Sequence, residues 1–326
     1  MAACPVEPGR APPQAIPRAL RCAPLRTPVY SIREDGSVTS ATDATDPQHT
    51  RPVPAATTRL IATDLDGTLL RDDKSMSDRT IAALAAAEEA GIEVFFVTGR
   101  PARWMDVVSD HVHGHGMAIC ANGAAVVDLH AGGSLLKVRP LPRENALAVA
   151  LALRAAAPGT SFAVELTNGI HYEPGYPPFH LDPGATVAAV EKLLHEAAPG
   201  SGTPVIKLLA HHAELSPDDF LTLARATAGD HVSITRSSPT ALLEISGFGV
   251  SKASTLAQCC AERGISPAEV VAFGDMPNDV EMLTWAGTSY AMGNAHPDVV
   301  AAASGRTVAN NDDGVAVVIE RILAGL

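Results

Sequence analysis

Three short stretches carry residue types that can do chemistry together. Asp64-Leu65-Asp66-Gly67-Thr68-Leu69 follows the apolar run Leu60-Ile61-Ala62-Thr63, and Thr98-Gly99-Arg100 follows Ile92 to Val97. Gly274-Asp275-Met276-Pro277-Asn278-Asp279 follows a third apolar run, Glu269 to Phe273. Each run stops abruptly at polar residues, the pattern of a buried strand that delivers side chains to the open end of a parallel α/β sheet, where such sheets bind ligands. Alternate residues of an extended segment point to one side, so the carboxylates of Asp64 and Asp66 converge. Two like charges at close range are unfavourable unless a cation lies between them or one acid keeps its proton. A hard cation such as Mg2+ suits ligands that are all oxygen. Asp-Gly after a strand is also a turn signal, and taken alone the first stretch reads either way.

If these strand ends meet at one edge, Asp64, Asp66, Thr98, Lys252, Asp275 and Asp279 make an acidic site holding one fixed cation and one hydroxyl. That inventory fits Mg2+-dependent phosphoryl transfer, in which a metal neutralises phosphate and carboxylate together while the remaining donors position the transferring group. Metal and lysine also make a carboxylate nucleophile workable at Asp64, since they cancel the repulsion an anionic ester would feel. Asp66 can then act as acid and afterwards as base, for which crowding by other acids should raise its pKa. Each residue has a plainer reading: Lys252 opening a solvated helix, Thr98 in an ordinary turn, Asp275 and Asp279 capping the next helix. All would have to hold at once, and the shared placement at strand ends argues against that.

The elements that would position these residues alternate. After the first acids a polar loop leads to Ser77, an N-cap residue for an alanine-rich helix to Ala90, with Gly91 where a left-handed residue ends a helix. Strand, helix, strand at this spacing is a right-handed parallel crossover, which brings Thr98 to the edge that holds Asp64. Pro101 opens a further helix to about Asp110, Met117 to Ala121 is a strand, and Ala124–Leu129 with Leu135–Arg139 is a hairpin. From Pro142 the order changes to helix (to Ala157), strands (Ser161–Thr167, Ile170–Glu173), helix (Ala185–Ala197), strand (Pro204–Leu209), helix (Pro217–Ala228) and strands (His231–Arg236, Ala241–Ile245). Such an order is α+β and marks an inserted domain. Alternation resumes with a helix to about Arg263, the third acidic strand end, a strand Thr288–Met292, a helix His296–Ala303, a strand Thr307–Ala309 and a helix Gly314–Leu326. The fold class is therefore α/β, a Rossmann-like parallel-sheet core over 58–140 and 241–326 with an α+β insertion at 141–240. Residues 1–57, rich in Pro, Ala, Thr and Ser and without periodicity, read as a disordered leader rather than a transit peptide.

A formal net charge of -12 argues against a nucleic acid or acidic membrane surface as partner, while a local lysine still admits a small anion. No uninterrupted apolar run approaches a membrane span. The cysteines (Cys4, Cys22, Cys120, Cys259, Cys260) are odd in number and form no CxxC pair, which points to a reducing, cytoplasmic compartment. His111, His113 and His115 alternate in a polar loop without an acid or cysteine to complete a metal set. Gly114-His115-Gly116 lacks the third glycine of a dinucleotide fingerprint and precedes its strand.

Asp64-Leu65-Asp66-Gly67-Thr68-Leu69, Thr98-Gly99-Arg100, Lys252 and Gly274-Asp275-Met276-Pro277-Asn278-Asp279 resemble, in order, the four motifs of the haloacid dehalogenase superfamily. The large insertion, with Asn122-Gly123 and Gly293-Asn294-Ala295, is similar to the Cof-like branch of sugar-phosphate and cofactor-phosphate phosphatases. The resemblance spans about Arg59 to Leu326. It implies that Asp64 is the nucleophile forming an aspartyl-phosphate and that Asp66 is the general acid/base. Mg2+ would be held by Asp64, the Asp66 backbone carbonyl and Asp275, with Asp279 in support. Phosphate would meet the Leu65 backbone N–H, Thr98, Gly99, Lys252 and Asn278, and the insertion would be a cap that closes over a small phosphorylated metabolite. The family glycine after the lysine is Ala253 here. Tyr172, Tyr176, Phe179 and His180 could stack on a sugar or flat cofactor, or pack the cap's own core. Two rivals to a phosphatase are a phosphohexomutase, which would require a bisphosphate, and a phosphometabolite sensor, which would have no use for Asp66.

Overall fold

The apolar run after Arg59 forms a short, wholly buried strand with a parallel neighbour on either side. The computed structural model describes residues 58–109, 116–177, 182–195, 202–238 and 240–325. The expected leader at 1–57, with Cys4 and Cys22, lies outside the described residues, as do His111, His113, His115, Phe179 and His180. In chain order the elements are β1 (Leu60–Thr63), α1 (Asp78–Glu89), β2 (Glu93–Val97), α2 (Asp106–Ser109), β3 (Met117–Cys120), β4 (Ala125–Asp128) and β5 (Ser134–Val138). There follow α3 (Arg143–Ala156), β6 (Ser161–Leu166), β7 (Gly169–Tyr172), α4 (Val190–Leu193), β8 (Val205–His211), α5 (Pro217–Ala228), β9 (Val232–Thr235) and β10 (Leu242–Gly247). The chain then runs through α6 (Lys252–Glu262), β11 (Val270–Gly274), α7 (Val280–Trp285), β12 (Thr288–Ala291), α8 (Pro297–Ala302), β13 (Gly305–Arg306) and α9 (Gly314–Gly325).

The first sheet has the order β13-β12-β11-β1-β2-β3-β4-β5, parallel from β13 to β3 and antiparallel for the last two. Its strands read as continuous apolar runs because both faces are covered. Leu60, Ala62, Phe95 and Val97 pack on one side with Leu256 and Cys259 of α6 and Met282 of α7. Ile61, Val94, Phe96 and Phe273 pack on the other with Leu84 of α1 and Ile319 of α9. Thr63 stands level with Phe96 in β2 and with Phe273 in β11, so the residues that follow these strands emerge along one edge.

The second sheet, β7-β6-β8-β10-β9, is antiparallel. Alternation along its strands sorts side chains to two faces. Phe162 and Val164, Leu208 and Ala210, and Leu243 and Ile245 face Ala146 and Leu153 of α3 and Phe220 of α5. At the alternate positions of the same strands stand Glu165, Lys207 and Glu244, which are also buried.

The class expected from the sequence, a parallel α/β core with an α+β insertion, is the one found. Four details differ. β10 belongs to the second sheet, so the chain returns to the first sheet after Gly247 rather than at 241; its pairing with β8 and β9 holds it there. Among the described residues, the helix expected over Ala185–Ala197 is helical only at Val190–Leu193, because Ala188 N–H and Thr186 carbonyl pair with Tyr172 and hold the preceding residues extended. The helix expected from Pro101 is a 3-10 turn, Ala102–Trp104, followed by α2, with Met105 buried between them. The last strand lies at Gly305–Arg306, not Thr307–Ala309. Cys120, Cys259 and Cys260 are free and buried. No helix among the described residues is long and apolar enough to cross a membrane.

Candidate active site

Asp64 leaves β1 directly into the space between β2 and β11, and its N–H is held by the Phe273 carbonyl. Lys252, the first residue of α6, is fully buried and bonds Asp64 Oδ1 and Asp279 Oδ1, each at 2.6 Å. The helix that presents the lysine is fixed by a reciprocal cap between Ser251 and Ser254. Asp275 follows β11 and accepts the Thr68 hydroxyl at 3.0 Å. Asp279 turns back on its own loop, its Oδ2 taking the N–H groups of Asp275 (3.0 Å) and Met276 (3.1 Å). One carboxylate oxygen from each of Asp64, Asp275 and Asp279 lies within 4.8 Å of the others, all buried.

A single buried lysine does not balance three acids. Burial raises the pKa of Asp64 well above the carboxylate range, helped by the charges of Asp279 and Asp275 and opposed by Lys252. Burial and Asp279 push Asp275 up to about 7. Burial alone would lower the ammonium of Lys252, but Asp279 and Asp64 reverse that and raise it. A clustered, all-oxygen donor set short of positive charge fits a hard divalent cation. Gly67 is required beside it: its φ is +78°, and a Cβ there would come within 2.2 Å of Asp275 Oδ2.

Asp66 meets a different electrostatic environment from the one expected. Its side chain is 40% exposed and gripped by Arg100, Nε to Oδ2 at 2.6 Å and Nη2 to Oδ1 at 2.7 Å, with Lys74 Nζ 2.9 Å from Oδ1. Burial raises its pKa, but the hydrogen bonds and charges of Arg100 and Lys74 outweigh that and bring it down to about 2. The expected upward shift from crowding is therefore corrected: the nearest charges are cations rather than acids. Neither Arg100 nor Lys74 had been assigned a role from the sequence.

Thr98 is buried at the end of β2, where its Oγ1 accepts the Arg100 N–H at 3.1 Å. The Gly99 carbonyl accepts Lys207 Nζ at 2.8 Å. Leu65 is buried, its carbonyl holding the tight turn by accepting the Leu70 N–H at 2.8 Å. Asn278 Nδ2 donates to Asn122 Oδ1 at 3.1 Å. A cavity of about 440 Å³ has Asp64, Asp66, Thr98, Gly99, Arg100 and Asn278 along its first-sheet side. Opposite stand Tyr172, Tyr176, Glu165, Lys207 and Glu244 of the second-sheet unit. Tyr172 and Tyr176 stack at 5.9 Å and are buried beside Ile170, so they belong to a packed cluster and to the cavity wall at once.

Sequence reasoning missed Glu165, Lys207 and Glu244. Their signal was present, a charged residue at the alternate position of each otherwise apolar strand, Phe162-Ala163-Val164-Glu165, Ile206-Lys207-Leu208 and Leu243-Glu244-Ile245. Such residues reach the face away from the helices, and that this face overlooks the acids is visible only in the assembled fold.

A parallel sheet carrying a buried acid–lysine centre, faced by a unit inserted in the chain, defines a hydrolase of the haloacid dehalogenase type. The model of the haloacid dehalogenase-like hydrolases matches residues 61–319, and the chain belongs to that family. Pyridoxal phosphate phosphatase YbhA of Escherichia coli K12 is 32% identical over 282 residues, covering 80% of this chain and 97% of that protein. The 5-amino-6-(5-phospho-D-ribitylamino)uracil phosphatase YcsE of Bacillus subtilis 168 is 29% identical over 263 residues, 80% of this chain and 94% of its relative. A phosphatase of the same superfamily from Bacteroides thetaiotaomicron, BT1666, has a similar fold, with a TM-score of 0.69 at 24% identity over 86% of this chain and 100% of that one. With such relatives the chain is a phosphatase of the Cof-like branch.

Proposed function

We propose that the chain hydrolyses small phosphomonoesters through an aspartyl-phosphate on Asp64, with Mg2+ as its metal and the second-sheet unit as a cap. The observation that carries this reading is the buried Asp64 carboxylate, bonded to Lys252, beside two further acids and open to a cavity walled by both units. Asp64, Asp275 and the Asp66 backbone carbonyl would hold the metal, with Asp279 fixing the Asp275 loop; when bound, the metal offsets the negative charge of carboxylates and phosphate.

An Asp64 oxygen attacks phosphorus as the bond to the leaving oxygen breaks, and Asp66 supplies the proton that oxygen needs. Asp66 in this arrangement is ionised, suited to the second step, where it takes a proton from the water that cleaves the acyl phosphate. For the first step Asp66 must take up a proton from solvent before giving it to the leaving oxygen, which requires substrate to loosen it from Arg100 and Lys74. Lys252, Thr98, Gly99, Asn278 and the Leu65 N–H would position the phosphoryl oxygens. The two named relatives act on phosphorylated small molecules, which supports a small phosphorylated metabolite as substrate and not a nucleic acid or membrane. Free buried cysteines suit a cytoplasmic setting.

The test is turnover of p-nitrophenyl phosphate, then of sugar phosphates, pyridoxal phosphate and flavin mononucleotide, each with and without Mg2+. Asp64→Asn should lower kcat by roughly 10⁴-fold or more; turnover at the wild-type rate in that variant contradicts the assignment.

A further inference from the structure

We propose that Glu244 is a positioning residue for the phosphate site: through Asn122 it turns the amide of Asn278 so that an N–H is presented to the substrate phosphoryl group, and it does so only while the cap lies against the core. This rests on the phosphatase reading above and names a part of the site that the reading leaves unassigned.

The geometry is a chain of forced orientations. Glu244, on β10, is buried, and its Oε2 takes Lys207 Nζ at 2.7 Å and Asn122 Nδ2 at 2.6 Å, while Oε1 takes the Ser237 hydroxyl. These donors overcome the upward push of burial and hold the Glu244 pKa below its ordinary value. A carboxylate only accepts, so the Asn122 amide has one orientation, nitrogen toward Glu244 and oxygen away. That oxygen accepts Asn278 Nδ2 at 3.1 Å, which orients the second amide in turn. Asn278 Nδ2 keeps one further N–H, and Asn278 lines the cavity that holds Asp64. Its Oδ1 is buried without a partner among the described residues. An unsatisfied buried oxygen is unfavourable, so the orientation is imposed by Asn122 and not chosen for the amide's own hydrogen bonding.

Asn122 is itself held against preference. Its φ is +55°, the preceding Ala121 has φ +50°, and Gly123 follows at +101°, where a Cβ would meet the Ser251 carbonyl at 2.3 Å. Left-handed non-glycine residues store conformational energy that the surroundings must hold in place. The turn is pinned between β3 and the N-cap of α6, the helix whose first residue is Lys252. Glu244 and Lys207 come from the cap sheet, whereas Asn122, Asn278 and Gly99 belong to the core, so separation of the two units breaks the relay together with the bond from Lys207 to the Gly99 carbonyl. Cap closure thereby sets two phosphate-binding segments at once.

The experiment measures orthophosphate as a competitive inhibitor of p-nitrophenyl phosphate hydrolysis in the full chain with Mg2+. Variants are Glu244→Gln, Asn122→Ala, Asn278→Ala and the two doubles with Asn278→Ala. Asn122→Ala leaves the Glu244–Lys207 pair intact, and thermal unfolding verifies that each variant is folded. Each single substitution should raise the inhibition constant of orthophosphate roughly tenfold. In the Asn278→Ala background neither Glu244→Gln nor Asn122→Ala should add more than about twofold, because the group they act through is gone. A full effect of Glu244→Gln in that background, or an unchanged inhibition constant in Asn122→Ala, overturns the relay and leaves Glu244 as a cap-docking residue. If wild type neither hydrolyses the ester nor binds orthophosphate, or Asn278→Ala binds it normally, the phosphate-site reading itself fails and the relay with it.

Discussion

Asp275 shows what the crowding of buried acids does to one of them. Burial and the neighbouring Asp279 push its pKa up to about 7, against an ordinary value near 4. A raised carboxyl pKa means that the folded state holds a proton which the unfolded state has released, so stability falls as pH rises from about 4 to about 7. In metal-free protein, Asp275→Asn, which removes the charge and keeps the acceptor for Thr68, should therefore be more stable than wild type at pH 8. The gain is on the order of 4 kcal/mol at most, and it should shrink as pH falls below about 7 and vanish below about pH 4, where Asp275 is protonated in the folded and unfolded states alike. Denaturant midpoints in the presence of a chelator measure this; an equal gain at both ends of that range would show that the acid is not protonated. Mg2+ should restore the wild type and not the variant. Asp66 contrasts with it: Arg100 and Lys74 keep it ionised down to about pH 2, whereas burial raises Asp64, the other acid of its own loop, so those two neighbours have opposite electrostatics. Their spacing in the sequence said that carboxylates converge, not which cations would be nearest.

At the scale of elements, the turns after the strands do as much as the strands. Gly67 lets the first turn pass Asp275, and Gly123 lets the turn after β3 press on the α6 N-cap, both at positive φ. Gly123→Ala should cost about 2 kcal/mol or more, since it adds an unfavourable dihedral to a clash with the Ser251 carbonyl. It should also raise KM for phosphate esters, because both Asn122 and Lys252 lie beside the strained contact. Thermal unfolding and steady-state kinetics together check this, and a variant with wild-type stability would contradict the close approach. Strands, caps and the order of alternation were legible: Ser77 caps α1 by accepting the Thr80 N–H, and Gly91 ends that helix in the left-handed region. The segment Ala185–Ala189 was not legible, because its extended form depends on the edge of β7 and not on its own helix-favouring residues.

The whole molecule between residues 58 and 325 contains two sheets with separate packed cores. Phe220 is fully buried in the core shared by α3, α5 and the second sheet. Phe220→Ala should destabilise that unit by about 3–5 kcal/mol. Amide exchange should then accelerate by roughly 100-fold or more in β6, β8 and β10, with much smaller changes in β1, β2 and β11. Equal loss of protection in both sheets would mean that core and cap unfold as one. The second-sheet unit presents its charged alternate positions to the cavity and its apolar ones to its own helices. If this unit closes over the site as proposed, it can select a leaving group without contributing a reactive residue.

The chain on its own determined the family and the α/β class, because the runs ending in Asp64, Thr98 and Asp275 are local patterns in which strand and chemistry are written side by side. It also determined that an α+β block interrupts the core, since the order of elements changes there. Only the tertiary structure decided that Arg100 and Lys74 clamp Asp66, that Glu165, Lys207 and Glu244 look onto the acids, and that β10 pairs within the second sheet. These depend on which strand faces lie opposite one another and how far apart charges come to rest. Both are set by how separate elements pack, across 34 positions between Asp66 and Arg100 and 122 between Asn122 and Glu244, and no local pattern encodes them.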